Sequence, residues 1–168
     1  MKRVFYFLTI VSFALLGTGC ATLAPPERPA YTGTDNISSA EANQLVGVWR
    51  VKALNPYPDA PSQTTIIEYH ADGRVGGKIQ MNNDDPNRTD PFADMQFDIQ
   101  GQWVLNIDTI THKDIQMIST TDNAMSAMIA NIINQQRGIS GQANIYELSS
   151  DRIVMVGNDG TAMEYSRQ

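Results

Sequence analysis

Two histidines, one cysteine and one acid-rich loop are the residues of this 168-residue chain best suited to catalysis or metal binding. His70 and His112 lie far apart, and neither has a partner at metal-ligand spacing, whereas a zinc site needs three or four ligands. The run Asn82-Asn83-Asp84-Asp85-Pro86-Asn87, with Asp90 and Asp94, is rich in oxygen. It lacks the glycine and the distal glutamate of an EF-hand loop, so a solvated acidic loop is expected, with no metal and no cofactor. Ser140-Gly141 has no Gly-x-Ser-x-Gly elbow around it. Asp84 and Asp85 are neighbours in one loop rather than a pair set across a cleft. A non-enzymatic protein is therefore expected; the enzymatic alternative would use His112 or His70 as its acid–base. What is left for recognition is apolar, since seven methionines follow Met1 and can line a soft, adaptable surface.

Such residues must be positioned by one domain's worth of chain. Twelve basic residues against eighteen acidic ones give a net charge of −6. That balance provides no basic footprint for nucleic acid. No apolar run reaches the ~18 residues of a spanning helix.

The prevailing period from residue 47 onward is two, the signature of strands. Strands are expected at 47–54, 64–70, 74–81, 96–106, 109–119, 143–149, 152–158 and 161–167. In the fourth, Phe97, Ile99, Gly101, Trp103 and Leu105 share one face, and glutamines and Asp98 share the other. A parity slip near Lys113-Asp114 predicts a bulge. Ala71-Asp72-Gly73 and Asp159-Gly160 are hairpin turns, the latter of the Asp-Gly type associated with type I′ geometry. Between the fifth and sixth strands, Met125, Met128, Ile129, Ile132 and Ile133 recur at helical spacing. A helix at about 121–137 follows, capped by Thr121-Asp122 and ended by Gly138. Ser38-Ser39-Ala40-Glu41 fits a capping box for a short helix through about Leu45. The fold class is all-β with one inserted helix: an eight-stranded up-and-down antiparallel barrel over 45–168, whose closure removes exposed edges. An open sheet wrapped around the helix is the alternative.

The N-terminus reads as an address. Lys2 and Arg3 precede an uncharged, mostly apolar stretch from Val4 to Leu16, and Gly17-Thr18-Gly19 leads to Cys20. This resembles a bacterial lipoprotein signal over residues 1–19, with Cys20 as the lipidated mature N-terminus. Gly17 stands where such signals usually carry leucine. Ala21 follows in place of the aspartate that retains such proteins on the inner membrane, so the resemblance implies an outer-membrane anchor facing the periplasm. Several acyl chains hold a protein stably where one does not. Residues 20–44 then comprise the lipidated end, a proline-rich tether and the short helix. Without Lys2 and Arg3, ten basic residues face eighteen acidic ones, a net charge of −8. Membrane attachment is thus expected through lipid, not a basic patch.

The first strand opens Leu45-Val46-Gly47-Val48-Trp49. A Gly-x-Trp at this place resembles the lipocalin and lipocalin-like signature. The resemblance implies that Gly47 and Trp49 close one barrel end beneath an arginine from a late strand, Arg167 first and Arg152 second. The segment Gly101-Gln102-Trp103-Val104, with Asp108 and His112, is similar to the middle hairpin of bacterial lipocalin-like domains. The Thr-Asp-Tyr motif of animal lipocalins is absent, Thr121-Asp122 being followed by Asn123, and the helix lies before the sixth strand rather than after the eighth. These departures mark a lipocalin-like relative and leave its ligand unspecified.

Tyr69, Ile79, Met81, Phe97, Trp103, Met117, Met155, Met163 and Tyr165 are the candidate lining of a ligand cavity. The alternative is that they fill the interior, because eight strands stand at the boundary between packed and ligand-holding barrels. Gly76, Gly77 and Gly101 either leave space or permit strong coiling. The expected function is a lipid-anchored barrel that binds or sequesters a small apolar ligand. The rival is an interaction module, a hydrolase inhibitor or envelope-assembly accessory, meeting an envelope protein through loops 55–63 or 82–94.

Overall fold

The computed structural model describes residues 28–58, 60, 62–82, 94–135 and 141–168. The segment expected to be a signal peptide (1–19), Cys20, most of the acidic loop and Gly138 lie outside the described residues. Eight strands, β1 (Gly47–Ala53), β2 (Gln63–Tyr69), β3 (Arg74–Met81), β4 (Gln96–Asn106), β5 (Thr109–Ser119), β6 (Gly141–Leu148), β7 (Arg152–Gly157) and β8 (Ala162–Arg167), pair in sequence order into a closed antiparallel barrel. β1 closes on β8 with Trp49 opposite Arg167 and Ala53 opposite Met163. Two helices accompany them, α1 (Ala42–Leu45) and α2 (Ala124–Gln135).

Alternation along each strand sends Trp49, Tyr69, Val75, Trp103 and Tyr165 inward. The expected bulge is present: Gln100 pairs with Gln116 but Gln102 with Lys113, so Asp114 and Ile115 share the space opposite Gly101. Asp114 takes a φ of 53° to do so. A side chain on Gly101 would lie 2.9 Å from the Lys113 carbonyl, so this glycine serves close backbone approach rather than leaving a space. The 71–73 and 158–160 turns are three-residue loops with only the glycine at positive φ (84° and 77°), not the type I′ turn expected for Asp159-Gly160.

Each helix begins later than the sequence suggested. α1 is capped by Glu41, with Gln44 completing the capping box. For α2, the Asn123 side chain accepts from the Met125 N–H, a cap that Thr121-Asp122 does not provide. β5 and β6 pair only from Thr109↔Asn144 to His112↔Gly141. Beyond that point α2 crosses the end of the barrel, and the Asn134 amide bonds both the N–H and the C=O of Met117, as a neighbouring strand would. One end of the barrel, with α1, is here called the closing end; the other, with α2, the helix end.

Residues 28–40, within the stretch read as a flexible or partly extended tether, form a strap fastened along the barrel. It starts at the helix end, where Arg28 stacks on Tyr57 at 4.4 Å and bonds Thr161. Buried Asn55 fastens it by donating to the carbonyls of Pro29 and Gly160 while accepting from Ala162 N–H. The chain then follows the outer wall, with Tyr31 against Tyr146 and Asn36 N–H donating to the Tyr146 carbonyl. It reaches the closing end, where Ala40 N–H bonds Ile107 C=O. On this wall the outward-pointing Val154 is fully buried.

Candidate functional site

The closing end is sealed. Trp49 is fully buried and donates to the Leu45 carbonyl at 2.7 Å, so α1 sits on the indole. The Arg167 guanidinium lies 4.1 Å above the ring and donates to the carbonyls of Val46, Gln44 and Ser150. A cation over an indole at an exposed site contributes about 0.5–1 kcal/mol, and each bond to an orphan helix carbonyl adds to it. Gly47 makes room: its φ is 137°, and a side chain there would run into the guanidinium. Arg152 serves elsewhere, pairing on the outer wall with Glu147 and Glu164.

Above that seal the interior divides in two. Tyr69, Trp103, Met155 and Tyr165 belong to the main cluster, with Met163 packed against it. Phe97 and Met117 form a second cluster with Met95 and Ala130 of α2, joined by Ile79 and Met81. Phe97 and Met117 are therefore taken up by helix packing and do not share surroundings with Trp103. Exposure also changes along the barrel. On β5, β6 and β7, inward Ile110, Ile145, Ile153 and Met155 are 0–1% exposed. On β8, β1, β2, β3 and β4, the inward residues nearer the closing end, Trp49, Tyr69, Val75, Trp103 and Tyr165, are buried, whereas Met163, Val51, Ile67, Ile79, Met81 and Ile99, further toward the helix end, form a half-buried inner wall. Two shallow grooves of about 250 and 220 Å³ flank the strap on the outer wall, and none of the nine candidate residues lines them.

A polar link reaches into the main cluster. The Tyr69 hydroxyl and Nε2 of His112 are joined by a hydrogen bond of 2.8 Å. Trp103 packs edge-on to Tyr69 at 5.3 Å, and its indole N–H donates to the His70 carbonyl. Burial lowers the His112 pKa to about 4 and raises that of Tyr69 well above the ordinary phenol value. Both are neutral at pH 7, so the pair acts as a partly buried hydrogen-bonded link. His70 faces Glu68 at the adjoining turn, 3.7 Å away. Among the described residues no group of three His, Cys, Asp or Glu could hold a metal, and no helix is long and apolar enough to cross a membrane.

The half-buried wall adds Val51, Ile67 and Ile99 to the nine candidates. Parity could have found them, since each stands two residues from a chosen aromatic or from Trp49. Asn134 and the strap carry no periodic signal.

No family model and no curated protein matches the chain. Among solved structures it is similar to a protein from Burkholderia xenovorans determined by NMR, at 10% identity and a TM-score of 0.47 over 86% of this chain and 97% of that one. It is also similar to a redesigned β-barrel, at 15% identity and a TM-score of 0.39 over 80% of this chain and 99% of the other. The closed barrel itself rests on the strand pairing described above.

Proposed function

We propose that this protein is a lipid-anchored envelope lipoprotein whose lipocalin-like barrel binds a small apolar ligand from its helix end, without turnover. The observation that carries the reading is the half-buried inner wall of Val51, Ile67, Ile79, Ile99 and Met163, set toward the helix end from the buried Trp49, Tyr69, Val75, Trp103 and Tyr165 of the same strands. Apolar surface held open to water inside a barrel gains about 25 cal/mol per Å² when a ligand covers it. The sealed closing end restricts access to the other mouth. The order Lys2-Arg3, apolar stretch, small residues, Cys20 supports the anchor, and Ala21 supports the periplasmic face of an outer membrane. Binding rather than catalysis suits an interior whose histidine is neutral and already hydrogen-bonded to Tyr69.

A fluorescent polyene fatty acid tests this. Wild-type protein should bind it with enhanced emission. Ile79→Trp, which fills the mouth, should weaken binding about ten-fold, and the outward Val48→Trp should leave it unchanged. No uptake by wild type, or equal affinity in all three proteins, would refute the reading.

A further inference from the structure

The strap determines which end of the barrel can meet a membrane. From Arg28 to Ala40 the chain is fastened to the outer wall by Asn55, Tyr31, Asn36 and Ala40. Only the seven residues 21–27 separate Cys20 from the first fastened residue, Arg28, which sits at the helix end. The eight residue-to-residue steps from Cys20 to Arg28 span at most about 26–29 Å. The barrel is itself about 26 Å tall, taking β4 at ~3.4 Å per residue and a tilt of ~40°. To lay the closing end on a bilayer, those residues would have to stretch to their limit along the whole wall. The helix end needs no such extension.

The two ends also differ in chemistry. Turns at the closing end carry Asp72, Arg74, Asp108 and Asp151. α2 at the other end has no charged residue, and Met128 and Ile132, one turn apart on it, are 48% and 37% exposed. Asp94, Asp122 and Asp159 stand at the same end, so the contrast lies in α2 itself, and the acids suit zwitterionic rather than anionic headgroups.

We propose that the helix end rests on the bilayer that holds the anchor, so that the half-buried inner wall takes its ligand, a lipid acyl chain, directly from that bilayer. This rests on the anchored-binder reading above. The test uses full-length lipidated protein in phosphatidylethanolamine–phosphatidylcholine vesicles with brominated acyl chains. In that protein Cys20 is blocked by lipid, so Met128→Cys or Ala71→Cys supplies the single thiol for a fluorophore. Vesicle flotation reports the anchor; bromine quenching reports the orientation. The expected result is flotation of both, with quenching several-fold stronger at position 128 than at 71. Flotation with equal or reversed quenching would overturn the orientation and leave the anchor standing. Failure to float would remove the anchor, and the orientation with it.

Discussion

Acid should destabilise this barrel through one residue. His112 is partly buried beside Tyr69, and desolvation there places its pKa at about 4 against 6.5 for an exposed histidine. The unfolded chain therefore takes up a proton that the folded chain refuses, and each step of acidification between 6.5 and 4 favours unfolding. From those two values the loss between pH 7 and pH 5 is about 2 kcal/mol, rising to roughly 3 kcal/mol near pH 4, below which the effect levels off. Asp72 and Asp159 are held below the usual 3.8 by bonds to Arg74 and Thr161, so their stabilisation is lost only at lower pH. Urea unfolding followed by tryptophan fluorescence at pH 7 and pH 5 measures the change. His112→Gln, which keeps a hydrogen-bonding side chain but cannot titrate, should lose less than half of it. Equal losses in wild type and His112→Gln would refute the argument.

Gly47→Ala forces a side chain into a φ of 137° and against the Arg167 guanidinium, and should cost about 2–4 kcal/mol by thermal unfolding. Arg167→Ala should cost less, and the double variant should be milder than the sum, because the clash disappears with the arginine. Asn134→Ala strips two hydrogen bonds from Met117 and should destabilise by about 1–3 kcal/mol, with hydrogen exchange at the Met117 amide accelerating ahead of the rest of β5. Ile107, β-branched, 64% exposed and held at a φ of 60°, is strained in its turn. Ile107→Asn should raise stability by about 1 kcal/mol, read as a higher urea midpoint.

Where the side-chain period was clean, the sequence carried the structure. β3, β4 and β5 begin and end at the expected residues because one wet and one dry face fix their register. The bulge was visible as a slip of parity at Lys113-Asp114. β6 was less legible: it starts at Gly141, two residues before the expected 143. Helix starts were missed by about one turn, since Asn123 and Glu41 compete with equally plausible caps nearby and backbone geometry decides among them. The strap was unreadable because Tyr31 and Asn36 are fixed by partners more than a hundred residues away, not by any local pattern. The nine lining candidates shared the correct face of their strands, yet no period records that α2 would claim Phe97 and Met117 where β5 and β6 part.

Methyl NMR during titration with a short-chain fatty acid is the most direct measurement. Resonances of Ile67, Ile79, Ile99 and Met163 should shift together and saturably, while those of Ile110, Ile145 and Ile153 stay in place. Shifts confined to outward residues such as Ile118 and Val104, or none at all, would contradict a barrel that holds its ligand inside.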